Sequence, residues 1–342
     1  MKTIPYSNTY GVNLYNKQTP EELLANELGK PYIDYRKKWF EANNFELRTN
    51  FPIHLDIETN YSCNLKCIMC PYGDAYFQHP EYKGKSLNKE VIKDVIFKGV
   101  KKGLKSIRFS GLNEPLLYKD LIEVIGYAKQ KGILDIFLTS NGMLLDEDIS
   151  VKLIESGLTH LMISLDASTQ STYSRIRVGG NFEKVIKNIN SFIDIRNELN
   201  SFLPLLRISF TKMSLNIHEV DAFVEHWQDK ADYIAIVGYL NNICNKSTHR
   251  KLTLDQGLNK NIKNYKCSQP WVRCTIFTNG DVFPCCMNYG RYDPVGNIFK
   301  NDLFDIWNSD SVKYIQNINK KGEYYKHKVC LKCISKRDIF SK

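Results

Sequence analysis

The sequence lacks the long apolar runs of secreted and membrane proteins. No stretch of eighteen apolar residues occurs in its 342 residues, so a membrane-spanning helix is not expected. The first residues, MKTIPYSNTYG, contain no apolar segment after their single lysine, so no secretory signal peptide is predicted. The chain has ten cysteines, and we expect a cytoplasmic protein in which cysteines serve as metal ligands rather than as a disulfide framework.

Positive charge is in excess, but no cluster of it is typical of nucleic-acid binding. The formal net charge is +10 at pH 7. The chain has no arginine-rich arm with interleaved aromatic residues, and lysines such as Lys93 and Lys101 are scattered over helix faces. We expect no nucleic-acid partner. Solvated helix faces account for most of the charge, and a nucleotide-linked substrate would suit the excess.

Strand and helix patterns alternate from about residue 51 to 240, which predicts an α/β fold with a parallel sheet and right-handed crossovers. The predicted strands cover residues 53–59, 106–110, 135–139, 160–166, 206–211 and 233–237. The predicted helices cover residues 88–102, 119–131, 146–156, 182–197 and 216–227. Gly103, Gly132 and Gly157 follow three of these helices, where a left-handed cap favours glycine.

Polar and apolar residues alternate in the predicted strands, which is unusual for a parallel sheet buried on both faces. The alternating polar residues are His54, Asp56 and Glu58, then Arg108 and Ser110, then Ser164 and Asp166, then Arg207, Ser209 and Thr211. Because the apolar face must meet the helices, the polar face points inward. We infer a partly open barrel of about six βα units with a polar cavity. A half-exposed sheet is the alternative.

The segments outside the predicted barrel divide the chain into three parts. Residues 20–42 have a helical pattern, so residues 1–48 are predicted to form an N-terminal helical extension across the bottom or side of the barrel. The barrel domain covers 49–240. Beyond it the βα rhythm stops, and seven cysteines remain between positions 244 and 333. Residues 241–342 are predicted to form a separate C-terminal domain.

Three cysteines, Cys63, Cys67 and Cys70, lie at short spacing just after the first predicted strand. Three thiolates can hold an iron–sulfur cubane and leave one iron without a protein ligand. A structural zinc site is the alternative, but such sites usually contain paired Cys-x-x-Cys units or histidines. The nearest histidines, His54 and His79, lie at no familiar ligand spacing.

This Cys-x-x-x-Cys-x-x-Cys motif after a first strand resembles the radical SAM enzymes. The resemblance implies a partial (β/α)6 TIM-type barrel and a [4Fe-4S] cluster with an open iron. It also implies that S-adenosylmethionine chelates that iron and is reductively cleaved to a deoxyadenosyl radical. A flavodoxin- or ferredoxin-type electron donor is the expected protein partner.

Short motifs at the later strand ends resemble the cofactor contacts of that family. Residues 110–115, Ser-Gly-Leu-Asn-Glu-Pro, resemble the Gly-Gly-Glu-Pro stretch that meets the methionine amine, with Asn113 where glycine is common. A bend at Gly111 exposes carbonyls, and Glu114 can accept a hydrogen bond from an ammonium. The implied cofactor contacts are Met69, Ser110, Gly111, Asn113, Glu114, Ser140, Asn141, Ser164, Asp166 and Arg177.

Four of these contacts have competing interpretations. Ser140 and Asp166 suit ribose hydroxyls or the cofactor carboxylate. Arg177 resembles an arginine that pairs with the methionine carboxylate, although Arg175 is close enough to be confused with it. Met69 stands where an aromatic residue commonly packs near adenine, and ordinary packing explains a methionine there equally well.

Four later cysteines form a sparse pattern at Cys267, Cys285, Cys330 and Cys333. Gly280 and Asp281 predict a hairpin turn between residues 274–278 and 282–284, and a helix is predicted over 303–318. The pattern resembles the SPASM extension of radical SAM enzymes. Because no cysteine follows Cys333, it resembles the shortened twitch form, a small α+β domain in which these four thiolates hold one auxiliary [4Fe-4S] cluster. A zinc ribbon is the alternative.

Cys244, Cys274 and Cys286 are left over. A buried cysteine is ordinarily a small hydrophobe. A thiol that faced the cavity could instead donate a hydrogen atom to a substrate radical, so these three are the candidate catalytic residues.

The predicted function is that of a radical SAM oxidoreductase or epimerase in carbohydrate biosynthesis. The polar cavity favours a small-molecule substrate of carbohydrate type: a sugar, a nucleotide sugar or an aminocyclitol. Dehydrogenation results if the substrate radical passes an electron to the auxiliary cluster, and epimerisation if a thiol returns hydrogen. A peptide maturase and a non-catalytic iron–sulfur electron carrier are the alternatives.

Overall fold

The computed structural model describes residues 2–5, 11–15, 18–73, 82–239, 252, 254, 264–285 and 293–334. Within these residues, eleven strands form one sheet in the order β1-β2-β8-β7-β6-β5-β4-β3-β9-β10-β11. The strands are β1 Lys2–Pro5, β2 Gly11–Tyr15, β3 His54–Ile57, β4 Ser106–Phe109, β5 Asp135–Ser140, β6 His160–Ser164, β7 Leu205–Lys212, β8 Tyr233–Gly238, β9 Arg273–Ile276, β10 Asp281–Phe283 and β11 Gly296–Asn297.

The helices of the described residues alternate with the central strands. They are α1 Pro20–Leu28, α2 Lys30–Asn43, α3 Lys89–Lys101, α4 Leu121–Gln130, α5 Glu147–Glu155, α6 Gln170–Ile176, α7 Phe182–Glu198, α8 Val220–Trp227, α9 Gln269–Val272, α10 Leu303–Trp307, α11 Asp310–Lys320 and α12 Lys328–Ile334. Side chains of Asn88, Asp146 and Asn181 cap α3, α5 and α7 by accepting backbone N–H bonds. In this part of the chain, no helix combines the length and the apolar character that crossing a membrane requires.

Strands β3 to β8 are parallel neighbours, which confirms the predicted α/β fold with six βα units. Each predicted strand is present, with its ends shifted by at most two residues. Gly103, Gly132 and Gly157 have φ angles of 105°, 89° and 82°, as the predicted left-handed caps require. Helix α6 was not predicted.

The polar and apolar residues of the barrel strands face opposite sides of the sheet, as the alternation predicts. Leu55 and Ile107 belong to the main apolar core together with helix residues such as Ile96. The alternating residues His54 and Asp56 are only 3% and 2% exposed and contact polar groups of neighbouring strands. The polar residues therefore line an interior, and the alternative of a half-exposed sheet is wrong.

The N-terminal segment closes the bottom of the barrel. The Tyr35 hydroxyl donates to Asp135, at the start of β5, at 2.7 Å. The ring of Trp39 meets His54, at the start of β3, edge to face with ring centroids 5.7 Å apart. Because both contacts are at the amino ends of strands, the open end of the barrel is the carboxyl end, where α/β enzymes place their chemistry.

Two details of the N-terminal segment go beyond the prediction. The helical pattern over residues 20–42 forms two helices, because Gly29 adopts a φ of 63° and divides the segment into α1 and α2. The helical extension predicted for residues 1–48 also missed β1 and β2, of which β2 pairs antiparallel with β8. This pairing joins positions more than 200 residues apart, which local sequence patterns do not reveal. The domain boundaries at residues 48 and 240 stay predictions.

The C-terminal segment continues the sheet at its other edge. Strand β9 pairs parallel with β3, and β9 and β10 form the predicted hairpin. The predicted helix over 303–318 is wrong in its length, because Ser309 caps a new helix and divides the segment into α10 and α11. Trp307 Nε1 donates to the carbonyl of Thr49 at 2.8 Å, which ties these helices to the barrel.

Candidate active site

The three clustered cysteines lie on an irregular loop directly above β3. Two backbone bonds flank Cys67: Lys66 N donates to the Val178 carbonyl at 2.9 Å, and Ile68 N donates to the Ile176 carbonyl at 3.0 Å. On the other side of the loop, Glu114 N donates to the Ser62 carbonyl at 2.8 Å. The loop is thus held between the segment after α6 and the segment after β4.

Burial controls the ionisation of these thiols. It raises the pKa of Cys63 to about 11 and that of Cys70 to about 12, and it raises the pKa of Cys67 as well. The Cys67 thiolate charge raises the pKa of both other thiols further, so the three groups are close enough to interact. All three are free of disulfides. Buried thiolates need a cation to remain charged, and this donor set fits the three ligands of an open cubane.

Glu114 organises the strand ends around the cysteine loop. Its buried carboxylate accepts from the Ser140 hydroxyl at 2.8 Å, from Asn141 N at 2.8 Å and from Leu116 N at 3.1 Å. Burial raises the pKa of Glu114, and the bonds from Asn141 and Ser140 oppose this. The carboxylate therefore joins the ends of β4 and β5. The expected contact between its oxygens and the methionine ammonium stays a prediction.

Gly111 lies where no side chain fits. A Cβ at this position would lie 2.6 Å from Cγ of the buried Glu58. Beside it, Leu112 N donates to the Glu58 carboxylate at 2.9 Å, and Ser110 N extends the sheet by donating to the Ile57 carbonyl at 3.2 Å. The bend predicted at Gly111 is thus fixed against the first strand.

Two asparagines connect this bend to the cysteine loop. Asn113 Nδ2 donates to Asn60 Oδ1 at 2.8 Å, and Asn60 Nδ2 donates to the Ser62 carbonyl at 3.2 Å. From the end of β5, Asn141 Nδ2 donates to Oδ1 of Asn64, inside the loop, at 2.8 Å. Asn60 and Asn64 were missed by sequence reasoning, since a lone asparagine in a loop is ordinarily a turn residue.

Asp166 and Arg177 form a buried ion pair beside Cys67. Arg177 Nη2 donates to Asp166 Oδ2, and Arg177 Nη1 donates to the Cys67 sulfur at 3.7 Å. Asp166 is 0% exposed and its other oxygen accepts from Thr211 N at 2.7 Å, so a contact with a ribose hydroxyl is not available to it without rearrangement. Arg175 is exposed on α6, which distinguishes it from Arg177.

Met69 and Ser164 complete the predicted cofactor contacts. Met69 packs with Ile176 and Met213 in a small apolar cluster, so the structure shows the packing role, and a role near adenine stays a prediction. Ser164 is half-buried at the end of β6, in register with Ser209 of β7. It reaches the same end of the barrel as the other predicted contacts.

The four C-terminal cysteines line one cavity: Cys267, Cys285, Cys330 and Cys333. Cys330 and Cys333 lie on α12, and Asn319 Nδ2 donates to the Cys330 sulfur at 3.6 Å. Thr275 Oγ1 donates to the Cys285 carbonyl at 2.8 Å, which fixes the chain beyond β10. Four thiols around one space fit the auxiliary cluster.

The candidate hydrogen donor Cys274 requires a correction. It is 0% exposed within the main apolar core, and burial raises its pKa. Its neighbours on β9, Arg273 and Thr275, contact Asp56 in the barrel interior, so Cys274 faces the opposite way. The Cys274 thiol cannot reach a substrate in the barrel interior. Cys244 and Cys286 lie outside the described residues.

The interior beneath the cysteine loop is charged. Asp56 accepts from Arg108 Nε at 2.6 Å and from Arg273 Nη1 at 3.3 Å. Burial raises the pKa of Asp56, but Arg108, His54 and Arg273 together hold it well below its ordinary value. Burial lowers the pKa of His54 to about 4, so this imidazole is neutral.

Sequence reasoning missed Arg273 as an interior residue. The alternation of Arg273 with Cys274 would have predicted an inward-facing arginine only if this segment had been known to join the barrel sheet.

Comparison with known proteins agrees with this geometry. The family model of the radical SAM superfamily matches residues 57–208, and the model of the iron-sulfur cluster-binding SPASM domain matches residues 267–334. A Methanococcus maripaludis protein named "Probable GTP 3',8-cyclase" is 32% identical over 178 residues, which are 52% of this chain and 56% of that protein. The chain thus spans about half the length of such curated relatives.

Solved structures of two proteins share the fold. Streptococcus suis SuiB bound to S-adenosylmethionine has a TM-score of 0.63 at 16% identity, covering 96% of this chain and 97% of that one. SuiB has also been solved with the precursor peptide SuiA, with a TM-score of 0.62. BtrN in complex with AdoMet and 2-DOIA has a TM-score of 0.52 at 15% identity, covering 86% of this chain and 95% of that one.

The two matched domains account for both thiol groups. The first implies a [4Fe-4S] cluster with S-adenosylmethionine, and the second implies an auxiliary cluster. With three thiols above β3, four more around one cavity and an α/β barrel between them, the chain belongs to the radical SAM superfamily and carries a C-terminal SPASM-type iron–sulfur domain.

Proposed function

We propose that the protein abstracts a hydrogen atom from a carbohydrate-type substrate, such as a sugar, a nucleotide sugar or an aminocyclitol, held in the barrel interior below the cysteine loop. The observation that carries the proposal is the charged interior, where the buried Asp56 and the partly buried Arg108 and Arg273 form one network. A substrate rich in hydroxyl groups can exchange its water contacts for such groups, whereas an apolar substrate cannot.

The chain's own residues supply binding and orientation. S-adenosylmethionine, when bound at the open cluster, supplies a deoxyadenosyl radical that removes hydrogen from carbon. Above the substrate, Glu114 and Asn141 hold the strand ends against the cysteine loop. Below it, Tyr35 and Trp39 close the barrel and exclude water from that side. Fixed geometry of this kind keeps a reactive radical near its intended target.

A hydrogen-bonded connection to the auxiliary site favours dehydrogenation over epimerisation. Thr275 Oγ1 donates to the carbonyl of Cys285, an expected ligand of the auxiliary cluster, and also contacts Asp56 Oδ2 at 3.5 Å. The interior and the auxiliary site are thus adjacent through one side chain. An alcohol that has lost a hydrogen atom must still lose a proton and an electron, and the adjacent cluster is suited to accept that electron.

Epimerisation needs a hydrogen donor in the interior. Cys274 faces the core, which leaves Cys244 and Cys286 as the candidate thiols for this second reaction. The reaction in deuterated water distinguishes the two outcomes. A product carbon that carries deuterium supports epimerisation, and loss of the label in Cys244→Ala or Cys286→Ala identifies the donor. An oxidised product without label supports dehydrogenation.

A peptide is the second candidate substrate. A nucleotide is a variant of the carbohydrate-type substrate, which includes nucleotide sugars. SuiB, solved with a precursor peptide, shares the fold, and the curated relatives are named as GTP cyclases. The deciding experiment supplies the reduced, iron-loaded protein with S-adenosylmethionine and measures deoxyadenosine in the presence of sugars, nucleotide sugars, aminocyclitols, nucleotides or peptides.

We expect stimulation by one of the first three classes. Stimulation by a peptide alone would overturn the carbohydrate proposal. A reduced protein that never cleaves the cofactor would support the electron-carrier alternative.

A further inference from the structure

Arg177 lies against one particular cysteine of the cluster loop. The backbone bonds from Lys66 to Val178 and from Ile68 to Ile176 align the two segments, so that Cys67 and Arg177 face each other. Arg177 Nη1 then donates to the Cys67 sulfur at 3.7 Å. Cys67 is 7% exposed and Arg177 is 9% exposed, so water screens this contact little.

Asp166 holds the guanidinium in that position and compensates its charge. One Asp166 oxygen accepts from Arg177 and the other accepts from Thr211 N. The Asp166 carbonyl accepts from Asn216 Nδ2 at 2.9 Å. The φ angle of Asp166 is 62°, a conformation that non-glycine residues rarely adopt, and these bonds over-determine it.

We propose that Arg177 sets the reduction potential of the radical SAM cluster through its N–H bond to the Cys67 sulfur, and that Asp166 is the positioning residue that limits this effect. One-electron reduction adds a negative charge to the cluster. A cation and an N–H donor at a ligand sulfur stabilise the reduced form and raise the potential, whereas a nearby carboxylate lowers it. The pair thus adjusts how readily the external electron donor can reduce the cluster.

The test measures the midpoint potential of the cluster by potentiometric titration of the complete protein with both clusters. EPR monitors the reduction, and S-adenosylmethionine is omitted. Omitting the cofactor prevents any change in its binding from contributing to the result. The relevant EPR signal is identified in a parallel sample as the one that changes when S-adenosylmethionine is added, because only an iron without a protein ligand can bind it.

Opposite shifts are expected from the two partners. Arg177→Met removes the cation, so at a fixed solution potential the reduced-to-oxidised ratio should fall about tenfold, which is a midpoint lower by about 59 mV for one electron. Arg177→Lys keeps the charge and should shift the midpoint less. Asp166→Asn removes the compensating anion and should raise the midpoint. Arg175→Met, which removes an exposed arginine two positions earlier, should leave it unchanged.

Two results would overturn the proposal. One is a midpoint potential in the Arg177 variants that equals that of Arg175→Met and of the parent protein. The other is a fall in midpoint in both Arg177→Met and Asp166→Asn, which would indicate a disturbed loop rather than a charge effect. Iron content and thermal unfolding accompany each titration. If Arg177→Met loses iron, Arg177→Lys and Asp166→Asn decide the question, since opposite signs are still required of them.

Discussion

The Thr278 hydroxyl donates to the buried carboxylate of Glu58 at 2.8 Å, and this bond joins the first barrel strand to the C-terminal hairpin. Thr278 N also donates to the same oxygen, at 3.2 Å. The other Glu58 oxygen accepts from Leu112 N, next to the bend at Gly111. One carboxylate therefore connects the bend at Gly111 with the segment that precedes Cys285.

Removing the Thr278 hydroxyl should destabilise the protein. In Thr278→Val, the fully buried Glu58 carboxylate loses a donor, which costs about 1–3 kcal/mol of unfolding free energy. Chemical denaturation measures the loss. Thr278→Ser keeps the hydroxyl and serves as the control, with stability close to that of the parent. Equal losses in both variants would show that the threonine methyl group, not the hydrogen bond, is responsible.

Adding a methyl group at Gly111 should weaken cofactor binding. The new Cβ would meet Glu58 Cγ at 2.6 Å, so the bend must move away from β3. We expect at least a tenfold weaker binding of S-adenosylmethionine by equilibrium dialysis, about 1.4 kcal/mol. The matched control is Gly126→Ala in α4, where a Cβ meets nothing within 4 Å. It should bind normally and gain about 0.5–1 kcal/mol of stability. Normal binding by Gly111→Ala would contradict the tight fit.

Loss of the C-terminal thiols should halve the iron content. With Cys330→Ala and Cys333→Ala combined, the auxiliary cavity retains two of its four thiols, and one of two cubanes should be lost. Iron and zinc analysis of anaerobically prepared protein measures this. Cys274→Ala, whose thiol lies in the apolar core, is the control and should keep its full iron content. Unchanged iron together with loss of bound zinc would identify the site as zinc-binding.

Acidification should destabilise the fold through His54. Burial lowers its pKa in the folded protein to about 4, whereas the unfolded chain titrates near the ordinary value of about 6.5. Between these values the unfolded state binds the extra proton, so the unfolding free energy should fall as the pH falls from about 6.5 to 4. At 1.36 kcal/mol per pKa unit, the loss is at most about 3.4 kcal/mol.

Denaturation curves at pH 7 and pH 4.5 measure that loss, and His54→Asn should reduce the difference between them. Asp56 accepts from this imidazole, so the asparagine amide can replace the donor without adding a titrating group. A pH dependence that is the same in parent and variant would assign the effect to other groups.

Local sequence patterns were sufficient for the six parallel strands and for the position of the cysteine triplet. The alternation of His54 and Asp56 with Leu55 fixed which side of β3 is polar, because side chains along a strand alternate with a period of two. The helix ends at Gly103, Gly132 and Gly157 were equally local, since a positive φ favours glycine wherever it occurs.

Contacts between distant segments were decided only by the tertiary structure. Which of Arg273 and Cys274 faces the barrel interior is decided only by the pairing of β9 with β3. Glu114 likewise joins the strand ends only because Ser140 and Asn141 reach it from β5. The choice of Arg177 over Arg175 depends on backbone bonds to a loop about 110 residues earlier. A sequence records which groups a chain carries and which face of an element they share. The partner of each face depends on long-range pairing and burial, which no local pattern encodes.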